Sequence, residues 1–511
     1  MKNTCHESED IPMKLNYKRT FFVGFAFFLI CTFWQAYDTV VPKILTDKFG
    51  LDQTWSGVIM AMDNIFALFL LPLFGTLSDK CKSKMGRRSP FILFGTIIAC
   101  VAFVLMSVAD NSQLKRMEAV APTSESAQTV LYEADLTVRT PEGETVRIAD
   151  KYTLEQYESI PMRNGEGDVT EEYTNYVVTA RQAYAARLTD EDPSSLIFFV
   201  AMLLMALLSM ATFRSPAVAL MPDVTVNPLR SKANAIINLM GAVGGIIVLV
   251  LGMVFGTGKA ENALMSYTVF FCIIAAIMLI SLSIFFLTVR EPCFVREMQE
   301  QSAALNIDNN AEEEEKRSGG KMSKKEFCSL MFILASVILW FMGYNAVTSK
   351  YSVYASTVLN LDYNMTLTIA SAAAIVSYVP IGNISSKIGR KKMIMAGIII
   401  LGTSFFVASF MRSESPLWLM NILFAMAGIG WASINVNSYP MVVELSRGGD
   451  VGKYTGFYYT ASMAAQTATP IISGFFMDIK MTSLFIYATV CVACAFITMF
   501  FVRHGDNKPK A

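Results

Sequence analysis

Four ionisable side chains interrupt stretches that are otherwise apolar: Asp38, Asp63, Arg214 and Lys350. An ionised group in the middle of a membrane helix costs roughly 2.5–3.5 kcal/mol on insertion scales, so it normally faces a cavity or a partner. Asp63 lies about eight residues into its apolar stretch, roughly 12 Å deep at helical rise. A carboxyl beside a partly dry cavity can take a proton from one side and release it to the other. It could hold a sodium ion in the same way. The two histidines, His6 and His504, lie in the tails, so any proton relay must run on carboxylates, Asp63 first and Asp38 second. Arg214 stays charged at any physiological pH. Its planar fork suits hydrogen bonds to neutral hydroxyls, or pairing with an acid. Lys350 closes its apolar stretch and is expected to snorkel toward water.

Neutral groups extend this set. Asn234, Asn238 and Gly241 share one stripe of a helix, and Asn345, Asn435, Asn437 and Gln466 lie in later apolar stretches. They can bind hydroxyls or join helices to one another. Trp34, Trp340 and Trp431 could stack on a sugar ring or simply pack. Trp34 precedes Tyr37 and Asp38 much as Trp340 precedes Tyr344 and Asn345. Trp55 and Trp418 begin their stretches and fit an interfacial belt.

The elements that must hold these residues follow from hydropathy. Hydrophobic residues form 53% of the 511, charged residues only 16%, and the formal net charge is zero. That balance argues against nucleic acid as a partner and for a lipid bilayer. Counting spans of about twenty apolar residues gives twelve. They lie near 20–43, 54–77, 89–109, 194–221, 233–256, 265–289, 327–349, 364–384, 393–411, 416–441, 454–477 and 483–502. The expected fold is an all-α membrane protein with twelve transmembrane helices in two six-helix bundles. An N-terminal tail (1–19) precedes the first bundle (20–289), a linker (290–326) leads to the second (327–502), and a short tail (503–511) follows. No cleavable signal peptide is expected, because the N-terminal tail is polar and the first apolar run is long enough to span.

A basic loop occurs twice. Gly75 and Asp79 lead through Lys80, Lys82 and Lys84 to Gly86, Arg87 and Arg88; Gly382 and Ser386 lead through Lys387 to Gly389, Arg390, Lys391 and Lys392. A charged turn between apolar spans, repeated at about half the chain, is the pattern of two homologous halves. Lysine and arginine placement puts these loops and both termini in the cytoplasm, at the plasma membrane. The linker, with its run Glu312 to Glu315 followed by basic residues, reads as solvated chain. Residues 110–193 follow the third span, and so form an external insert. Residues 129–139 alternate like a strand, 140–144 carry a turn signal, and 146–149 can return as a second strand. Tyr173, Val177, Ala180, Tyr184 and Leu188 recur at helical spacing. A small α+β cap is expected, as a spacer or an aid to substrate capture. The nine cysteines fall outside the insert and mostly in apolar stretches, so no disulfide framework is expected, and the pair Cys491 and Cys494 reads as buried helix residues.

The first basic loop and its flanks, from Trp55 to Ile92, resemble the sugar carriers of the major facilitator superfamily. The resemblance is to the plant sucrose transporters, their animal solute-carrier relatives and the bacterial glycoside–cation symporters. Ser215 to Asp223, followed by Pro228, Leu229, Arg230, Lys232 and Asn234, carries a second match. The likeness covers the first half well, whereas the second half matches only as a facilitator repeat. It implies the major facilitator fold and proton-coupled sugar uptake. It also implies that Asp79, Arg87, Arg88, Asp223 and Arg230 gate the cytoplasmic side, with Arg390 and Glu444 as counterparts in the second half. Two positions depart from the group. The span-four arginine of the sucrose carriers would fall at Val218, one turn from Arg214, and the paired acids late in span two of the bacterial symporters are apolar here.

The expected function is secondary active symport of a neutral sugar, a glucoside or disaccharide, coupled to H+ with Na+ as the alternative ion. The expected binding residues are Trp34, Asp38, Asp63, Arg214, Asn238, Trp340, Asn345 and Asn435. A monomer with no cofactor or bound metal is expected. Two other classes fit the same features: an uncoupled facilitator or exporter of another small organic solute, and a non-transporting sensor of solute. Broken charge motifs would favour a sensor, but the first copy is intact. No nucleophile–base pair, nucleotide loop or metal cluster points to an enzyme.

Overall fold

The computed structural model describes residues 15–504 apart from 166, 168, 227–228, 305–322, 444 and 446–450; the side chains of 230–232, 235, 304, 379, 386, 443, 451–453 and 455 are likewise outside the description. The first half contributes α1 (Tyr17–Lys48), α2 (Gln53–Lys80) and α3 (Ser89–Arg116). The insert follows, with α4 (Ala127–Glu133), β1 (Thr137–Arg139), β2 (Thr145–Arg147) and α5 (Thr179–Glu191). The half continues with α6 (Ser194–Asp223), α7 (Arg230–Phe255), α8 (Thr268–Thr288) and α9 (Glu291–Ala304). The second half contains α10 (Lys324–Leu359), α11 (Tyr363–Ile388), α12 (Arg390–Ala408), α13 (Leu417–Val443), α14 (Val451–Ile479) and α15 (Ser483–Phe500).

Local chemistry sets several boundaries. Asp52 accepts the Trp55 backbone N–H at 2.6 Å and starts α2. Ser323 and Glu326 form a reciprocal capping box at the start of α10. Gly256, left-handed at φ 62°, ends α7. Apolar helices with all backbone groups paired internally are one of two structures that a bilayer core tolerates. Among the described residues, ten helices are long and apolar enough to cross a membrane. The sequence-based count of twelve exceeds this by two. The helices α11 and α14 are of similar length, at 26 and 29 residues, but carry more hydroxyl and amide groups.

Apolar burial divides into separate cores. One lies among α1, α2, α3, α6, α7 and α8, around Phe33, Phe103, Phe199 and Phe271. The other lies among α10 to α15, around Trp340, Tyr351, Phe405 and Phe485. A third fills the insert, around Leu131, Val138, Tyr157 and Tyr173. The insert hairpin is antiparallel, with Val138 opposite Val146. The strand expected over 129–139 is confined to Thr137–Arg139, because its first part is the helix α4. Ala127 and Leu131 are the buried residues of α4, one helical turn apart, whereas Thr129 and Glu133, which a strand would place on the same face as Leu131, are not buried. The helix expected from Glu171 is present, with a wider-wound opening turn at Tyr173–Val178 that runs into α5. The linker also departs from expectation. Fourteen of its residues, Glu291–Ala304, are the helix α9, and Glu291 is buried; the acidic run 312–315 lies outside the described residues.

A buried ion pair braces the first bundle beneath the insert. Lys48 at the end of α1 meets Asp110 on α3 at 2.6 Å, with neither side chain exposed. The ammonium also donates to the Met265 carbonyl at 2.6 Å, and Asp110 accepts the Tyr267 N–H at 3.2 Å. Removing one partner strands a buried charge. Lys48→Met is therefore expected to destabilise the protein by roughly 3–5 kcal/mol. The measurement is the thermal midpoint in detergent. Pairing Lys48→Met with Asp110→Leu should recover most of the loss, because the stranded carboxylate is then gone.

The two bundles meet along a seam formed by α1 with α10, α2 with α14, and α7 with α11. At Gly57, a Cβ would run into the Pro470 carbonyl, so glycine permits this approach of α2 to α14. Near the insert, Thr257 after α7 bonds Tyr363 of α11 at 2.8 Å, hydroxyl to hydroxyl, and accepts from Asn364 at 3.0 Å.

Candidate functional site

The seam holds a cavity of about 150 Å³, lined by α1, α2 and α6 of the first bundle and by α10 and α14 of the second. From α1 come Trp34, Tyr37 and Asp38, placed on one face by their i, i+3, i+4 spacing. From α2 come Met60, Asp63 and Asn64, and from α6 comes Arg214. The second bundle supplies Asn345, Thr348 and Ser349 from α10, and Gln466 and Pro470 from α14. All the charged lining groups therefore belong to the first bundle, and the second offers hydroxyls and amides.

Short contacts fix this lining. The Tyr37 hydroxyl donates to the Met60 carbonyl at 3.1 Å, which sets α1 against α2. Asn64 donates to the Asp63 carboxylate at 2.7 Å. The Arg214 guanidinium carbon lies 5.4 Å from the centre of the Trp34 ring, a cation–π arrangement. Ser349 donates to the Asn345 carbonyl at 2.7 Å, leaving the hydroxyl oxygen as an acceptor. Two donors that belong to lining residues, Trp34 Nε1 and Asn345 Nδ2, are buried without a hydrogen-bond partner among the described residues. A buried donor left unmade costs roughly 1–3 kcal/mol, so the site favours a guest that brings acceptor oxygens.

Of the expected binding residues, the structure thus gathers Trp34, Asp38, Asp63, Arg214 and Asn345 at one cavity. Three others lie elsewhere. Trp340 is fully buried in the second bundle's core, because its face of α10 points inward rather than to the seam. Asn238 bonds back to the Asn234 carbonyl at 2.8 Å on its own helix. Asn435 lies beside Tyr378 of α11. Neither asparagine lines the cavity. Trp431 stacks on Tyr344 at 3.7 Å between centroids. Lys350 does not snorkel: it is fully buried and donates to the Gln53 carbonyl at 2.7 Å.

The first basic loop forms a compact charge network. Arg88 pairs with Asp79 at 2.5 Å and with Asp223 at 2.8 Å, and Arg87 meets Asp223 at 3.0 Å. Sequence reasoning missed the group at its centre. Glu291 accepts the backbone N–H groups of Arg87 at 2.8 Å, Arg88 at 2.9 Å and Ser89 at 2.8 Å, and the Ser89 hydroxyl at 2.7 Å. These donors are the unpaired end of α3, where a carboxylate is favoured. Gly86, at φ 115°, lies against this carboxylate where a Cβ would collide with it. An acid two residues past an apolar span and directly before Pro292 was the available signal. Glu291→Ala is expected to lower stability by roughly 3 kcal/mol, since charged hydrogen bonds are worth about 1.5–3 kcal/mol each. Thermal unfolding followed by tryptophan fluorescence checks this, with Glu291→Gln intermediate. In the second loop, Arg390 donates to the Pro440 carbonyl at 3.4 Å. The Arg230 side chain and Glu444 lie outside the described residues.

The family model described as Major Facilitator Superfamily matches residues 179–377 and 362–511, and the model described as MFS/sugar transport protein matches residues 23–114. Sucrose transport protein SUC4 of Arabidopsis thaliana is 36% identical over 62 residues, 12% of each chain. Sucrose transport protein SUT4 of Oryza sativa subsp. indica is 39% identical over 67 residues, 13% of this chain and 11% of that one. These sequence matches therefore span only about an eighth of the sucrose proteins' length. The inward open xylose transporter XylE of E. coli shares the fold, with TM-score 0.59, 15% identity and coverage of 97% and 98% of the two chains. A bacterial homologue of the iron transporter ferroportin, inward-facing, has TM-score 0.58, 13% identity and coverage of 95% and 99%.

Proposed function

This chain belongs to the major facilitator superfamily, and from that premise we propose that it carries a neutral sugar across a membrane by alternating access. In this reading the multi-pass chain crosses the bilayer twelve times, with α11 and α14 as the two more polar spans. Both termini face the cytoplasm of a plasma-membrane carrier that works as a monomer. The sugar is a glucoside or disaccharide, and the coupling ion is H+. One observation carries the proposal: a cavity between two separately packed bundles, with two carboxylates and an arginine on one wall and neutral polar groups on the other. The likeness to sucrose transport proteins over the first basic loop adds to it.

The division of the walls suggests a division of labour. Asp63, with Asp38, exchanges the proton on the first bundle, where burial and Arg214 act on the same carboxylates. Arg214, Trp34 Nε1 and Asn345 donate to ring and hydroxyl oxygens, while Ser349 accepts and Gln466 accepts or donates as the sugar requires. The Trp34 indole offers a flat apolar face for ring C–H groups. Closing the cavity around the sugar removes water from these contacts and strengthens them. Arg88 with Asp79 and Asp223 holds the basic end of the first bundle, and differential binding of ion and sugar moves the balance between states.

The experiment is uptake of labelled glucosides and disaccharides by purified protein in liposomes, with and without an inward pH gradient. Saturable uptake stimulated by the gradient is the expected result. Saturable uptake that ignores the gradient would make the protein an uncoupled facilitator. No uptake of any sugar would overturn the reading.

A further inference from the structure

The seam is bridged at the insert end by side chains that the cavity does not use. Asp478, on the last turn of α14, accepts the backbone N–H of Gln53 at 2.7 Å and of Thr54 at 2.8 Å, and the Thr54 hydroxyl. These are the free donors at the start of α2, so a carboxylate of one bundle caps a helix of the other. Lys350 of α10 grips the same turn: its ammonium donates to the Gln53 carbonyl at 2.7 Å and reaches the Gln53 side chain at 3.5 Å. Its neighbour Ser349 lines the cavity.

The insert holds this junction from its other side. Its α5 is tied to its own bundle, through Gln182 donating to Asp47 at 2.9 Å and Thr189 donating to the Phe49 carbonyl at 2.9 Å. Its hairpin then crosses the seam. The Met481 N–H donates to the Pro141 carbonyl at 2.7 Å, Lys480 meets Glu142 at 2.5 Å, and Arg139 donates to the Ile479 carbonyl at 3.3 Å. The turn just beyond Asp478 is therefore fixed by a segment anchored in the opposite bundle.

We infer that Lys350 and Asp478 form a latch on the first turn of α2, with the hairpin at 139–142 as its catch, and that this latch sets how often the seam opens at the insert end. The inference rests on the alternating-access part of the proposed function. Lys48 offsets its burial by pairing with Asp110, whereas among the described residues Lys350 has only the Gln53 oxygens as hydrogen-bond partners, which recover little of a lost hydration worth several kcal/mol. A latch gains from it, because opening returns the ammonium to water and offsets the bonds given up. The closed state is thereby held without being made irreversible.

Spin labels test this at Lys115→Cys and Glu414→Cys, two exposed positions in different bundles, in a background with the native cysteines replaced. Distances are measured by electron–electron resonance in lipid nanodiscs without any sugar. Lys350→Met and Asp478→Asn are each expected to raise the long-distance population by about fivefold, a population shift. Glu142→Lys, at the exposed hairpin tip, should raise it by about twofold with no threat to folding. Unchanged distances in Asp478→Asn and Glu142→Lys would overturn the latch, even if Lys350→Met failed to fold. The readout needs no transport, so a wild type that moved no sugar would count against the proposed function alone.

Discussion

Arg214→Ala is expected to lower the uptake efficiency of the proposed substrate by about 100-fold. Arg214 is the cation among the lining residues, stacked over Trp34 and sharing the cavity with Asp38 and Asp63. Each charged hydrogen bond it makes to a sugar hydroxyl is worth roughly 1.5–3 kcal/mol, and two such bonds reach at least the tenfold-squared loss stated. The alanine also leaves the two carboxylates without the guanidinium that shares their cavity. Arg214→Lys separates the effects. Lysine keeps the charge but lacks the planar fork and stacks less well, so it should restore part of the proton response and little of the sugar affinity. Initial rates across a range of sugar concentrations, in liposomes, give both quantities. Uptake by Arg214→Ala equal to that of the wild type would remove this residue from the site.

Asp63→Asn is expected to abolish accumulation while leaving exchange. A one-unit pH gradient supplies about 1.4 kcal/mol per proton, enough for tenfold accumulation at one proton per sugar. The asparagine keeps the shape and the bond to Asn64 but cannot exchange a proton. Internal sugar should therefore rise only to the external level, and counterflow of labelled against unlabelled sugar should persist. Asp38→Asn is the comparison. If it alone removes the gradient effect, the proton resides on α1 rather than α2. If neither substitution alters accumulation, carboxylate coupling in this cavity is wrong.

Much of the cavity was legible in the sequence, for a definite reason. A charge inside an apolar run is costly, so Asp38, Asp63 and Arg214 announce a polar interior wherever they fall. Trp34 and Asn345 were found through their neighbours. The misreadings share a different cause. Lys350 was placed at the end of its span, but α10 continues through a final wider turn to Leu359, so the lysine lies nine residues inside the helix. Glu291 was missed because its partners are backbone N–H groups some two hundred residues away, so that only its place between an apolar span and Pro292 pointed to it. Trp340, Asn238 and Asn435 are polar or aromatic residues whose direction around the helix decides their role. A periodicity with no clean apolar face does not give that direction. In the insert, Ala127 and Leu131 belong to a helical face, which a period-two reading of the following residues overrode.

The insert packs around its own centre and touches the second bundle through few residues. Changes on its outer surface, away from the hairpin at 139–142 and from the Thr174 contact with Asn360, are therefore insulated from the helices in lipid. Such a region can diversify, or acquire a recognition epitope, while the route through the bilayer stays under unchanged constraint.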